Sequence, residues 1–251
     1  FQNHRNFDLS SIAQHWQASS HAQSGVDCGG CHTAANEKNN KTQNIKETWI
    51  EKPGLDQCAQ CHKPQTTSFT QGKHGMRLSP EVSNRLHPIT PKESHLTFNA
   101  DSSDIQHGCN SCHNAHTFNT QDAAVESCLG CHADTHSLAF NASPHGQKWQ
   151  QELTGEIENG AAVSCATCHM PRITHSSNGT EVTTVQHNQN WNLRPNEKMI
   201  RSVCMNCHSL EFSIDALADP KLIENNFNGK PGIHIESIDW SLGRLNENAP
   251  K

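Results

Sequence analysis

The chain has 251 residues and a formal net charge of −6; apolar residues make up 33%, aromatic residues 5%, and tyrosine is absent. The acidic balance argues against nucleic acid as a partner, because nucleic acid binds basic surfaces, and no apolar run approaches the length of a membrane span. A chain this polar is poorly able to bury a core with its own side chains. The length predicts one large domain or two small ones. We take residues 1–251 as a single domain, with possible lobes at 1–100 and 101–251.

The first third of the chain is polar and rich in residues that interrupt helices and strands. Residues Phe1 to Trp16 are expected to form a loose arm that carries His4 and His15. No signal peptide precedes Phe1, so we expect the numbering to start at a mature terminus. The Asn- and Lys-rich stretch Thr33 to Pro53 predicts one short helix around Ile45 to Ile50. The interval after residue 65, with three prolines, predicts an irregular connector that ends near residue 100.

The last third of the chain contains clearer elements. A helix is predicted from Pro144 to Leu153, with Gly155 near its end. A turn at Ser176 to Gly179 precedes a β-branched stretch, TEVTTVQ, that predicts a short strand. The segment VCMNCHSLEFSIDALAD predicts a helix that Pro220 stops. The fold class expected is therefore mainly α, with much irregular structure and little β.

All 12 cysteines of the chain fall in six copies of one pattern, C-x-x-C-H, which attaches a c-type haem. Two thiols separated by one short turn add across the two vinyl groups of the porphyrin, and the next histidine lies under the iron as its proximal ligand. Zinc sites would give no reason for a histidine after every second cysteine, and a disulfide framework would not repeat one tight spacing. The prediction is six haem c groups, without which we expect the chain to be largely unfolded. The six motifs are Cys28/Cys31/His32, Cys58/Cys61/His62, Cys109/Cys112/His113, Cys128/Cys131/His132, Cys165/Cys168/His169 and Cys204/Cys207/His208.

Two of the motifs are followed closely by a further histidine, His116 after His113 and His136 after His132. Residues three or four apart lie on one face of a helix, so such a pair cannot bind one iron from opposite sides of a flat porphyrin. Each additional histidine is therefore expected to reach the iron of a different haem.

The ordered run CNSCHNAH, CLGCHADTH, SPHG, SCATCHM, VQHNQNWNLRP and VCMNCH resembles the C-terminal part of the multihaem hydroxylamine oxidoreductases and their octahaem relatives. The resemblance covers residues 109 to 208, about 40% of the chain. It implies four distal ligands: His116, His136, His145 and His187.

The chain also departs from that family. It has six motifs instead of eight, it lacks the tyrosine that the hydroxylamine-oxidising members cross-link to the catalytic haem, and no motif ends in the lysine that nitrite-reducing relatives often use. The positional match of the catalytic haem is the one on Cys58 and Cys61.

Nineteen histidines less six proximal ones leave 13 candidates for six distal positions. The two not implied by the resemblance are assigned to His74, in a GKHGMR stretch that echoes SPHG, and to His21. His15 is the alternative to His21, and the alternatives to His74 are His87, His95 and His107. His4 and His234 lie near the ends of the chain, where they could bind a haem of a neighbouring subunit.

Bis-histidine ligation of every iron leaves no position for a substrate, and such haems carry single electrons at low potential. We therefore expect an electron carrier that passes electrons to redox partner proteins, located in the periplasm or outside the cell because haem is attached there. Subunits that join end to end would form a conducting filament. The alternative is an oxidoreductase of the hydroxylamine, nitrite or sulfur-oxyanion type, with one open haem on His62 and a pocket near His87 or Arg85.

Overall fold

A computed structural model describes residues 9–33, 48–117, 119–237, 239 and 243. His4, Trp240 and residues 45–47 of the predicted helix around Ile45 to Ile50 lie outside the described residues. The described chain is mainly helical, with one two-stranded sheet, as the sequence predicts. None of its described helices combines the length and the apolar character needed to cross a bilayer.

The helices are short and follow one another closely along the chain. In order they are α1 Leu9–Gln17, α2 Ser20–Gln23, α3 Cys28–His32, α4 Leu55–Ala59, α5 Lys63–Thr70, α6 Thr120–Ala124, α7 Glu126–Leu129, α8 Thr135–Ala139, α9 Pro144–Leu153, α10 Cys165–His169, α11 Lys198–Ser202, α12 Leu210–Ala218 and α13 Pro220–Glu224. Turns of 3₁₀ helix lie at Met76–Leu78, Pro91–Glu93, Ala100–Ser102, Cys109–Ser111, Phe140–Ala142 and Cys204–Asn206. The strands are β1 Arg172–Ser177 and β2 Thr180–Val185.

Helix α9 has the bounds that the sequence predicts, Pro144 to Leu153. Ser143 caps it by accepting a hydrogen bond from the amide of Gly146, and Pro144 occupies the first turn, where its missing N–H costs nothing. A Cβ atom on Gly146 would lie 1.9 Å from the carbonyl oxygen of Phe140, so only glycine fits this position. Gly155 follows the helix with a φ of +77°, in the left-handed region that glycine favours.

The predicted turn and strand are confirmed as one antiparallel hairpin. Strands β1 and β2 pair from Arg172 opposite Val185 to Ser177 opposite Thr180. The two residues between them, Asn178 and Gly179, have φ values of +51° and +79°. A two-residue hairpin turn needs positive φ at both positions, which explains the Asn-Gly sequence there.

Two expectations about helices are wrong. The lead is not a loose arm from residue 9 onward, because α1 occupies Leu9–Gln17. The segment before Pro220 is not one helix: a 3₁₀ turn is followed by α12, which does stop before Pro220, at Ala218, and Pro220 then begins α13. Asp219 between the two helices accepts hydrogen bonds from the amides of Lys221 and Leu222, which makes it the cap of a new helix.

The connector after the second motif is irregular only in part. Its first residues extend helix α5 as far as Thr70, and short 3₁₀ turns then alternate with loops. The loop at residues 72–75 is closely packed, because a Cβ atom on Gly72 would lie 2.9 Å from the side chain of Asn188 and one on Gly75 would lie 2.5 Å from Phe69.

The chain divides into two compact units. The first comprises residues 1–131 and 172–189, and the second comprises residues 132–171 and 190–251. The first unit continues past residue 100 to residue 131, and the hairpin β1–β2 belongs to it as well. The expected lobes at 1–100 and 101–251 stay a prediction. The second unit contains most of the buried apolar side chains of the described residues, among them Phe140, Trp149, Met199, Leu217 and Leu222.

Candidate functional site

The first cysteine of each motif lies in a short helical turn: Cys28, Cys109, Cys165 and Cys204 begin theirs, whereas Cys58 and Cys128 lie nearer the end. In the first and fifth motifs the residue before the first cysteine caps the turn: Asp27 accepts a hydrogen bond from the amide of Gly30 at 2.7 Å, and Ser164 accepts one from that of Thr167 at 3.2 Å. All twelve cysteines lie within the described residues, and none of them is joined in a disulfide. Eleven of them are exposed or half-buried, whereas Cys131 is buried.

Four of the predicted attachment cysteines are exposed: Cys28, Cys61, Cys112 and Cys207. Cys207, for example, lies just after the 3₁₀ turn Cys204–Asn206, and its amide donates to the carbonyl of Cys204 at 3.2 Å. Such a tight turn sets the spacing of the two thiols but does not cover the second one. The assignment of Cys207 to the sixth haem therefore depends on the motif, not on its burial, and stays a prediction.

The proximal histidines of five motifs each face one other histidine across a gap of nearly constant width. Each such pair lies within a single compact unit. Between ring centres the distances are 6.0 Å for His62 and His21, 6.2 Å for His32 and His116, 6.3 Å for His113 and His187, 6.3 Å for His169 and His136, and 6.2 Å for His208 and His145.

This spacing has a simple interpretation in coordination chemistry. A metal–imidazole bond is about 2.0–2.1 Å long and the ring centre lies about 1.1 Å beyond the nitrogen, so two imidazoles on opposite sides of one ion have centres about 6.3 Å apart. Face-to-face stacking would bring the rings closer, as in His32 and Trp49, whose ring centres are 4.4 Å apart. The angles between the planes of the five pairs range from 6° to 82°, which rotation about a common nitrogen–metal–nitrogen axis allows.

The two closely following histidines face rings from motifs other than their own. The ring opposite His116 is that of the first motif, His32, although His116 lies three residues from His113. Likewise His136 faces the fifth-motif histidine, His169, and not His132.

The six predicted distal histidines differ in how the structure places them. Five of them, His21, His116, His136, His145 and His187, each face one proximal ring. The sixth, His74, stacks on His107 with ring centres 4.6 Å apart and planes inclined by 26°. That distance is too short for an ion between them, so the two rings are neighbours and not opposing ligands. The ring that faces His62 is His21, not His74.

Hydrogen bonds donated by Nδ1 orient several of these rings. His32 donates to the carbonyl of Ile50 at 2.6 Å, His187 donates to that of Val185 at 2.9 Å, and His136 donates to that of Ile223. Nδ1 of His132 lies 3.7 Å from the carboxylate of Asp134. An acceptor at Nδ1 leaves the lone pair on Nε2, and this is the usual way that a protein fixes the tautomer of a metal-binding histidine.

Burial keeps the rings in the neutral state that ligation needs. The pKa of His113 is lowered to about 4, chiefly by desolvation and to a smaller extent by the neighbouring His187 and His62. The pKa of His169 is likewise lowered to about 4, chiefly by desolvation and to a smaller extent by the neighbouring His136. The pKa values of His132, His145 and His187 are lowered, again chiefly by burial.

Cysteines of neighbouring motifs lie close together. The thiols of Cys58 and Cys109, from the second and third motifs, share a hydrogen bond that raises the pKa of Cys58 and lowers that of Cys109. Ser127, just before the fourth motif, donates to the carbonyl of Cys112 at 2.7 Å. In the second unit, the pKa of Cys168 is raised to about 12, chiefly by burial and to a smaller extent by the nearby Cys204 of the sixth motif.

Sequence reasoning missed two aromatic residues beside proximal histidines. Trp49 stacks on His32 with planes 8° apart, and Phe212 stacks on His208 with ring centres at 4.7 Å and planes 21° apart. Phe212 lies four residues after His208, a spacing that could have suggested the contact. Trp49 lies 17 residues from His32 and carries no such signal.

The remaining predicted alternatives lie on the surface. His15, His95 and the ring of His87 are exposed, and Nε2 of His87 lies 3.1 Å from Glu93. Arg85 is exposed as well.

His234 lies between two carboxylates, with Nδ1 2.8 Å from Asp215 and Nε2 2.8 Å from Asp239. Hydrogen bonds to both carboxylates raise its pKa to about 9.

The arrangement can hold covalently bound haem in chemical terms. Each motif offers two thiols for the vinyl groups and one imidazole for the iron, and five of the six proximal imidazoles have an opposing one at the distance of two trans ligands. No protein-family model matches the chain, and a search of curated proteins finds no matching sequence.

Proposed function

We propose that this chain is a hexahaem cytochrome c that transfers electrons. The six C-x-x-C-H motifs would hold six haems by twelve thioether bonds, with bis-histidine ligation of at least the five irons whose proximal histidines face a second ring. A haem so ligated supplies a one-electron Fe(III)/Fe(II) couple and has no position for a substrate. The protein's own part is to hold the imidazoles, to keep them neutral and to exclude water from them.

The observation that carries this proposal is the set of five imidazole pairs at 6.0–6.3 Å. A surface histidine has no reason to face another at this distance, and two stacked rings would be closer. The proximal member of every pair ends a C-x-x-C-H motif, so each pair coincides with a predicted attachment site.

Sequence neighbours that belong to different pairs support transfer between sites. His113 and His116 are three residues apart but face different partners, so two sites share one short piece of backbone. The contact between Cys58 and Cys109 likewise brings the second attachment site beside the third. Six sites within 251 residues leave little protein to separate them.

A narrower version, in which subunits join end to end as a filament outside the cell, would be supported by a haem ligand from a neighbouring subunit. Of the two terminal histidines expected for that role, His234 is held by Asp215 and Asp239 in this structure, and His4 lies outside the described residues. To bind the haem of a neighbouring subunit, His234 would have to leave both carboxylates. An oxidoreductase with an open iron on His62 is supported less well, because His21 faces that ring at 6.0 Å.

The test is to purify the protein from a host that attaches haem, to count haems by intact mass, and to record EPR and optical spectra before and after CO is added to the reduced protein. Electron transfer predicts six haems, low-spin spectra and no change with CO. Fewer than six attached haems would contradict the cofactor assignment. One high-spin haem that takes up CO would favour the oxidoreductase, and assays with hydroxylamine, nitrite and sulfite would then follow.

A further inference from the structure

Two consecutive residues of the second unit, Asn226 and Phe227, adopt φ values of +57° and +58°. Asparagine tolerates this left-handed region, whereas a bulky residue such as phenylalanine adopts it rarely. Such a conformation persists only where the surroundings hold it, and it occurs often at functional sites. The question is therefore what these two residues hold.

The backbone around them is fixed from several sides. The amide of Phe227 donates to the carbonyl of Leu222 at 2.7 Å, and the side chain of Leu222 is buried. Asn226 is buried as well, and its Nδ2 donates to the carbonyl of His136 at 3.0 Å and lies 3.4 Å from Nε2 of the same residue. Residues 223–227, which we call the distal turn, are thus attached to His136.

The distal turn also contacts the ring of His136 directly. The carbonyl of Ile223 accepts the hydrogen bond from Nδ1, which is 87 residues away in sequence. The ring of Phe227 lies nearly perpendicular to that of His136, with centres 6.4 Å apart, and its centre is 6.3 Å from that of His145. Both distances lie within the range of edge-to-face aromatic contacts. One phenylalanine therefore contacts the two rings that face His169 and His208.

We propose that the distal turn positions His136 and His145 as distal ligands and sets the reduction potential of the fifth-motif haem through the Ile223 carbonyl. This inference rests on the proposed function. A carbonyl that accepts the Nδ1 proton makes the imidazole a stronger donor, and a stronger donor stabilises the oxidised iron. The side-chain amide of Asn226 donates to the carbonyl of His136 and so keeps the Ile223 carbonyl in place beside Nδ1 of His136. The ring of Phe227 limits rotation of the imidazoles of His136 and His145.

Two variants separate these roles. Asn226→Gly accepts the left-handed backbone but removes the hydrogen bond to His136, so it should loosen the Ile223 acceptor and raise the potential of one haem. Phe227→Leu keeps an apolar side chain but removes the ring between His136 and His145, so it should change the low-spin EPR signals of two haems. The matched control is Asn178→Gly, which replaces another asparagine at positive φ, in the exposed turn of the hairpin.

The measurement is a spectroelectrochemical titration together with EPR of the haem-loaded protein. We expect the reduction equilibrium of one haem to change about tenfold in Asn226→Gly, which is about 59 mV for a one-electron couple, while Asn178→Gly leaves all potentials unchanged. A new high-spin signal in either variant would also support the inference, because it would mean that a distal ligand is lost. Six low-spin haems with unaltered potentials and signals in both variants would overturn it and leave the proposed function intact. If Asn226→Gly does not fold, Phe227→Leu decides alone.

Discussion

The ring centres of His116 and His32 lie 6.2 Å apart and the two ring planes differ by only 6°, although His116 follows His113 by three residues. His113 faces His187 instead, at 6.3 Å. The short C-x-x-C-H-x-x-H sequence therefore contributes one imidazole to each of two sites. Loss of His116 should therefore disturb the site of His32, to which it contributes, and not the site of His113, which lies beside it in sequence.

Replacement of His116 by alanine is expected to open the first-motif iron. The reduced variant should bind one CO per chain and show one high-spin signal, because His32 loses the ring that faces it. The same change combined with Cys28→Ala and Cys31→Ala should abolish CO binding and leave five haems. CO that is still bound after removal of the first-motif cysteines would place His116 on another iron. His175→Ala, on the exposed face of β1, is the control and should bind no CO.

Replacement of His21 by alanine is expected to open the second-motif iron. His21 faces His62 at 6.0 Å, whereas the alternative candidate, His15, is exposed at the end of α1. The optical spectrum after CO addition should change in His21→Ala and stay as in the unmodified protein in His15→Ala. The opposite result would assign His15 as the ligand and would contradict the placement of His21.

The proximal ligands could be predicted from the sequence because attachment chemistry fixes a local pattern, C-x-x-C-H. The histidine that faces each proximal ring could not be predicted in this way, since the chain between the two is long: 84 residues separate His32 from His116 and 74 separate His113 from His187. Helical spacing excludes His113 as the trans partner of His116 but does not say which iron His116 reaches. That choice depends on tertiary packing.

Local signals explain the other successes and failures. The Ser, Asn and Gly residues at 176–179 predicted a turn, and in the structure the turn is confined to Asn178 and Gly179, both at positive φ. Helix α1 was missed although Ile12 and Trp16 have the i, i+4 spacing of one helical face. Pro220 was expected to stop a helix, and α12 does end at Ala218, but the new helix that begins at Pro220 behind the Asp219 cap was missed. The Asp219 cap was the signal that the sequence offered.

The pH dependence of stability should contain a contribution from His234. Hydrogen bonds to Asp215 and Asp239 raise its pKa to about 9, above the value of about 6.5 expected in the unfolded chain. The folded state therefore binds more protons than the unfolded state between these values, so this contribution is complete below pH 6.5 and is lost as the pH rises through 9. The thermal midpoint should fall across that window in the unmodified protein and fall less in His234→Gln. His175→Gln is the control, and an identical slope in His234→Gln and the unmodified protein would show that the two hydrogen bonds do not persist in solution.

Gly146 tests whether helix α9 places His145 opposite His208. In Gly146→Ala the added Cβ would lie 1.9 Å from the carbonyl oxygen of Phe140, so the helix has to move away from the preceding turn. We expect destabilisation of about 1–3 kcal/mol, as for other overpacked sites, and partial CO binding, because His145 is the residue next to Gly146.

Gly108→Ala is the matched control: it precedes the third motif in extended backbone, and its Cβ would meet no atom within 4 Å. Denaturant unfolding and CO titration of both variants measure the two effects separately. Lower stability without any CO uptake in Gly146→Ala would mean that His145 keeps its place by contacts other than the packing of α9, with Phe227 the nearest candidate among the described residues.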